Sequence, residues 1–316
     1  MIGFMAARIP IILDCDPGHD DALAITLALA RPELELLALT TVAGNAPLEA
    51  TTRNALRVLT LLGRTDVPVG RGAPAPLIRP LHVAVNVHGQ SGLDGADLPE
   101  PTVDVQPVHA IELIRTVIER SPVPVTLVPT GPLTNIALLL RTYPGLLERI
   151  DQICLMGGSV GEGNTTASAE FNIWADPEAA EIVFQAGRPV TMIGLDVTHQ
   201  AIVTAADADR MARLGNRTGQ VFAGLLEFFG RFHRTRYGWD GSPVHDAVAV
   251  AHLAVPGLVE TEPCRVDVET TGALTRGRTV ADWHGLTGRP ANVRVGLRVD
   301  RPRFVDLLVE AVAQFP

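Results

Sequence analysis

Ile11-Ile12-Leu13-Asp14-Cys15-Asp16-Pro17-Gly18-His19-Asp20-Asp21 sets an apolar run directly before an octet that carries four carboxylates. The apolar triplet reads as a buried strand, and the octet as the turn that leaves it. Side chains two apart on a strand share a face, so Asp14 and Asp16 project together, with Asp20 and Asp21 following on the turn into a helix. Like charges this close raise one another's pKa unless something neutralises them. A divalent cation held by oxygen ligands answers that need. Ca²⁺ suits a flexible, carboxylate-rich cage better than Mg²⁺, and Zn²⁺ prefers nitrogen or sulfur.

Other readings of the octet compete. Asp20 can cap the helix that starts near Asp21, but capping uses one carboxylate and not four. An EF-hand loop counted from Asp14 needs Gly at its sixth place and Glu at its twelfth, where the chain has His19 and Ile25. A Mg²⁺-dependent phosphatase of the haloacid dehalogenase kind also opens with Asp-x-Asp after a buried strand, and would make Asp14 a phosphate-accepting nucleophile. That reading stays open, though weakened: all 26 Lys and Arg residues are Arg, and such enzymes rely on a lysine. The same absence excludes a Walker P-loop and Schiff-base chemistry.

A chain of 316 residues, 47% of them hydrophobic, has ample material for a large core. Its net charge of −9 argues against binding nucleic acid, whose phosphates call for a basic patch. Cys15, Cys154 and Cys264 are too few and too scattered for a disulfide framework, which fits a reducing, cytoplasmic setting. Residues 1–7 are apolar but end at Arg8 and Pro10, too short for the core of a secretion signal. The uncharged stretch 121–140 is interrupted by Pro122, Pro124, Pro129 and Pro132, so no continuous membrane helix is expected there.

Along the chain, strand-like runs at 11–13, 34–41, 125–128, 152–156 and 190–193 alternate with helical stretches at 21–30, 48–62, 133–140 and 177–186. This predicts an α/β fold with an open, mainly parallel sheet, mixed at its edge and flanked by helices, in one domain over 1–316. Residues 205–236 read as helical, as do 245–253, and 265–290 as the sheet edge or a subunit contact. Open α/β sheets bind ligands at the carboxyl ends of their strands. Polar clusters fall at such ends: the octet, Gly44-Asn45, the segment from Pro129 to Asn135, and Gly157-Gly158 leading to Asn164, Glu170 and Asn172.

Taken together, these motifs resemble the nucleoside hydrolases, the inosine-uridine preferring N-ribohydrolases. The octet looks like that family's signature, and further matches follow in family order at Ala43-Gly44-Asn45, His88-Gly89-Gln90-Ser91-Gly92-Leu93-Asp94-Gly95, Pro129-Thr130-Gly131-Pro132-Leu133-Thr134-Asn135, Glu170-Phe171-Asn172-Ile173-Trp174-Ala175-Asp176-Pro177 and His245-Asp246. The resemblance spans residues 9–255.

What it implies is a Ca²⁺-dependent hydrolysis of ribonucleosides to ribose and free base. Asp16, Asp21, Asp246 and the backbone carbonyl of Thr130 would hold the ion, with Asp14 orienting them from behind. Asp16 would act as general base and His245 would assist the leaving base. Asp20, Asn45, Asn164, Glu170 and Asn172 would read the ribose hydroxyls, Met156 would line the substrate site, and His88, on a Gly-rich flap, and Tyr237 would meet the base. The stretch from Phe229 to Trp239, with Arg231, His233, Arg234, Arg236 and Tyr237, is implied to contribute contacts to the base, although most of its Arg run fits a solvated helix face. Tyr237, eight residues before His245, resembles the pyrimidine-preferring members. A homotetramer or homodimer is implied by the resemblance alone, and a noncatalytic protein that binds a ribosylated ligand remains the third reading.

Overall fold

The structure, a computed structural model, describes residues 8–316. The reading of residues 1–7 as too short for a secretion signal lies outside the described residues. The apolar runs form β1 (Ile9–Cys15), β2 (Leu34–Thr41), β3 (Val69–Arg71), β4 (Val105–His109), β5 (Val125–Pro129), β6 (Ile150–Met156) and β7 (Val190–Ile193). A two-residue ladder pairs β8 (Ile202–Val203) with β9 (Ser242–Pro243), and β10 (Val259–Val268), β11 (Thr279–Asp282) and β12 (Val293–Val299) complete the set.

Ten of these strands make one sheet in the order β11-β10-β12-β7-β6-β5-β1-β2-β3-β4. Every pair from β12 to β4 is parallel, whereas β10 runs antiparallel to both β12 and β11. The expected mainly parallel sheet with a mixed edge is therefore observed, and segment 265–290 contributes to that edge through β10 and β11. The inner strands are buried on both faces, as β5 is along its whole length, and so they read in sequence as continuous apolar runs.

The helices are α1 (His19–Ala30), α2 (Leu48–Leu61), α3 (Val85–His88), α4 (Ala110–Arg120), α5 (Thr134–Thr142), α6 (Phe171–Ala175), α7 (Pro177–Phe184), α8 (Leu195–Thr198), α9 (Ala205–Ala212), α10 (Arg217–Tyr237), α11 (His245–Ala254) and α12 (Arg301–Val312). One face of the sheet packs against α1, α11 and α12, with Leu23, Ile25, Val248 and Leu308 in its core. The other face packs against α4, α5 and α7 through Ile114, Ile136 and Val183. The helical stretch expected at 205–236 is two helices. Gly215, at φ +77, ends the first, and the Asn216 side chain caps the second by accepting from Gly219 N at 3.0 Å.

Strand order reverses at β1: the chain runs outward through β2, β3 and β4, then returns to β5 on the other side of β1. The carboxyl ends of β1 and β5 thus flank a topological switch point, the place where such sheets open a ligand crevice.

Candidate active site

Five aspartates converge at this switch point. Asp14, near the end of β1, accepts from Thr40 Oγ1 at 2.6 Å and Asn135 Nδ2 at 2.8 Å, while its Oδ2 has no partner. Burial pushes its carboxyl up to about 6, against the pull of those two bonds. Asp16 Oδ2 accepts from the Asn45 backbone N–H at 2.6 Å, and its Oδ1 is buried without a partner. Burial, then the charge of Asp21, holds Asp16 well above the usual carboxylate range. A methyl group on Gly44 would sit 2.1 Å from Asp16 Oδ2, and one on Gly131 2.7 Å from Oδ1, so glycine at both positions leaves this carboxylate its room.

Asp21, in the first turn of α1, accepts from Gly18 N and from Thr130 Oγ1, each at 2.9 Å. Asp20, Asp21 and Asp246 each present an oxygen, the three lying within 4.8 Å of one another. Burial and Asp21 push Asp20 up to about 7, and Asp246 is raised by burial, then by Asp20, Asp21 and Asp16. Among the described residues, none of the five aspartates pairs with an arginine or histidine. Buried anions without counter-charges are costly. Hard oxygen donors, two unpartnered buried oxygens and missing counter-charge together fit a divalent cation.

Above the carboxylates opens a cavity of about 510 Å³. Of the residues singled out from the sequence, Asp20, Asn45, His88, Thr130, Met156, Asn164, Glu170, Asn172, Tyr237, His245 and Asp246 line it, whereas Asp14, Asp16 and Asp21 lie outside its lining. Asp14 is 1% exposed and spends Oδ1 on Thr40 and Asn135. Asp14 thus presents no oxygen to the cavity lining, which does not favour the phosphatase reading.

The polar wall is built by α6 and the loop before it. Glu170 caps α6, accepting from Asn172 N at 2.9 Å and Ile173 N at 3.1 Å, and also takes Gly158 N at 2.9 Å. Burial still pushes its carboxyl up to about 7. Asn172 Nδ2 donates to the Thr130 carbonyl at 2.7 Å and the Met156 carbonyl at 3.1 Å, which leaves Oδ1 as its free polar atom. Asn164 is exposed at the mouth, where its Oδ1 accepts from Phe171 N at 3.0 Å.

A second part of the lining is aromatic. Along α10, Phe229, Phe232, His233, Arg236 and Tyr237 face the cavity, and Trp239 follows. Tyr237 stacks on Trp239 with centroids 4.6 Å apart at 20°. His88 is buried at 5% exposure and stacks on His19 and Phe229, each at 5.3 Å. Its Gly-rich segment is tied down by Asp94, which accepts from Gln90 N at 2.9 Å and Ser91 N at 3.2 Å. His245 opens α11 and lines the cavity, with Nδ1 2.7 Å from Thr198 Oγ1. Burial, then the neighbouring His199, holds its imidazole well below the ordinary histidine value.

Sequence reasoning missed His82 and His199 and gave no separate role to Trp174, all of which line the cavity. His199 follows closely on the carboxyl end of β7, a position that the strand-end rule could have flagged. His82 lies in a Pro-rich loop with no pattern to mark it.

The family model described as inosine-uridine preferring nucleoside hydrolase matches residues 11–306. The pyrimidine-specific ribonucleoside hydrolase RihA of Photobacterium profundum is 53% identical over 97% of this chain and 99% of its own length. The enzyme of the same description from Escherichia coli is 53% identical over 96% of this chain and 97% of its own. Among solved structures, a purine-preferring ribonucleoside hydrolase from Gardnerella vaginalis superposes with a TM-score of 0.91 at 35% identity, over 96% of this chain and 98% of that one.

Proposed function

The chain belongs to the inosine-uridine preferring nucleoside hydrolase family, and from that premise we propose a Ca²⁺-dependent, pyrimidine-preferring ribonucleoside hydrolase. That it is a ribonucleoside hydrolase, an enzyme cleaving N-glycosidic bonds, follows from the family. The base preference rests on identity: relatives at 53% are described as pyrimidine-specific, while the purine-preferring structure stands at 35%. The observation that carries the chemistry is the set of unpaired buried aspartates directly beneath a cavity with one polar and one aromatic wall.

Asp16, Asp21, Asp246 and the Thr130 carbonyl would hold the ion, with Asp14 fixing Asp16's surroundings from behind. A Ca²⁺ bound there would supply positive charge that makes a nearby water more acidic. Asp16, with Oδ2 anchored on Asn45 and Oδ1 free, would take the proton from the water that attacks C1′ of the ribose. Asp20, Asn45, Asn164, Glu170 and Asn172 hold the ribose hydroxyls, Asn172 through its free Oδ1. As the bond from C1′ to nitrogen breaks, its electron pair leaves with the base, whose developing negative charge His245 stabilises by donating a hydrogen bond, the base taking its proton from solvent. His88, Met156, Tyr237 and the aromatic wall enclose the base. We further propose a single domain, a homotetramer or homodimer and a cytoplasmic location. No helix of the described residues is long and apolar enough to cross a membrane.

The test is to incubate the protein with uridine, cytidine, inosine and nitrophenyl phosphate, with Ca²⁺ or after chelation. Free ribose from uridine and cytidine, abolished by the chelator and restored by Ca²⁺, is expected. Phosphate release without ribose would overturn the reading, and nucleoside binding with neither product would leave a noncatalytic binder.

A further inference from the structure

We propose that Thr198 is a positioning residue for departure of the base, fixing His245 in the tautomer that offers a hydrogen from Nε2. The inference rests on the leaving-group role given to His245 above. Thr198 ends α8, is fully buried, and its hydroxyl has one partner among the described residues, His245 Nδ1 at 2.7 Å. Its backbone N–H is already used on Gly194 O at 3.0 Å. A buried hydroxyl hydrogen left without an acceptor is costly, and the lone pair of Nδ1 is the acceptor within reach. The hydroxyl therefore donates, Nδ1 accepts, and a neutral imidazole must carry its single hydrogen on Nε2.

The consequence is a choice of chemistry. A carboxylate at Nδ1 would take a hydrogen from it and leave Nε2 as a lone pair, the arrangement of a general base. A hydroxyl at the same place reverses the sense and makes Nε2 a donor, which suits a ring that helps a nucleobase leave. The geometry is held from both sides. Leu195 N donates to Gly158 O at 2.9 Å, and Val244 N donates to Ala201 O at 3.2 Å, tying α8 and the start of α11 to one frame. A methyl group on Gly194 would meet Gly158 O at 2.6 Å, so the turn into α8 is packed without slack.

Thr198→Val keeps the volume and β-branching and removes the donor. It is expected to lower kcat/KM for uridine by about 10- to 100-fold while changing that for nitrophenyl riboside, whose leaving group needs no proton, by less than about 3-fold. Thr198→Ser is expected to restore uridine cleavage. Should Thr198→Val fail to fold, Thr198→Ala set against Thr198→Ser reads the same split. Equal losses on both substrates, or a serine variant no better than valine, would overturn the proposal. Measuring His245→Ala alongside separates the two readings. If it slows both substrates equally, the role of His245 itself fails. If it is selective and Thr198→Val is not, only the inference about Thr198 fails. Long-range proton–nitrogen spectra give a readout apart from turnover: His245 Nε2 protonated and Nδ1 not, with the opposite pattern overturning the assignment.

Discussion

Asn45, after β2, and Asp16, after β1, meet beside the switch point, the Asn45 backbone N–H donating to Asp16 Oδ2 at 2.6 Å and so turning the unpartnered Oδ1 into the free end of a fixed carboxylate. A base held this way loses little entropy in the reaction. Asp16→Asn keeps the shape and removes the basicity, and uridine hydrolysis is expected to fall by roughly 10²–10⁴-fold. Because burial and Asp21 oppose ionisation of Asp16, the Ca²⁺-free variant should melt no lower than the parent at neutral pH. Full activity in a ribose-release assay would remove Asp16 as the base.

Metal binding and pH should be linked through the same aspartates. Asp14 and Asp20 are pushed up to about 6 and about 7 by burial, above the usual 3.9 or so of the unfolded chain. In the Ca²⁺-free protein their contribution to stability is thus present below about pH 4 and lost as pH rises through about 6 to 7. A cation reverses the balance by holding these carboxylates ionised, at the expense of their protons. The gain in Tm on adding Ca²⁺ should therefore be larger at about pH 8 than at about pH 5. Scanning calorimetry at the two values checks this, and an equal or greater gain in acid would contradict it.

Legibility in the sequence followed the physics of each element. Inner parallel strands are buried on both faces, so Ile11-Ile12-Leu13 and Val125 to Val128 stand out as apolar runs. The octet was legible because buried carboxylates so crowded have few bland explanations. The aromatic wall was legible through the family resemblance, which implied base contacts from 229–239, and not through its spacing. Phe229, His233 and Tyr237 recur every fourth residue on α10, a spacing that a helix packing on a core would share, and only the tertiary arrangement turns that face to a cavity. His82 and His199 are single residues, and what makes them part of the site is contact with Trp174 and with His245 and Trp239. The break between α9 and α10 did have a signal, Gly215-Asn216, which the long helical pattern on either side masked.

Discrimination against deoxyribose follows from how Asn172 is used. Both hydrogens of its amide are spent on the Thr130 and Met156 carbonyls, at 2.7 and 3.1 Å, so Oδ1 remains as an acceptor that needs a hydroxyl. With Asn45 and Glu170 beside the same cavity, a sugar lacking its 2′-hydroxyl leaves polar groups unpaired. Uridine should then be favoured over 2′-deoxyuridine in kcat/KM by a factor on the order of 10⁴. Comparable turnover of the two nucleosides in the same assay would count against the ribose-reading set.

Tyr237 closes the aromatic wall at the end of α10, where Gly238, at φ +71, reverses the chain and lets Trp239 fold back to stack at 4.6 Å. The pair is a flat surface suited to a planar base, and an aromatic contact of this kind contributes about 0.5–1.5 kcal/mol. Tyr237→Ala should raise KM for uridine by roughly 2- to 10-fold, and Tyr237→Phe, which keeps the ring, should recover most of that loss. Opening the wall also enlarges the space for a base, so the alanine variant should lose part of its preference for uridine over inosine. The ratio of kcat/KM for the two nucleosides measures this directly. An unchanged ratio in Tyr237→Ala would show that the side chain does not select the base.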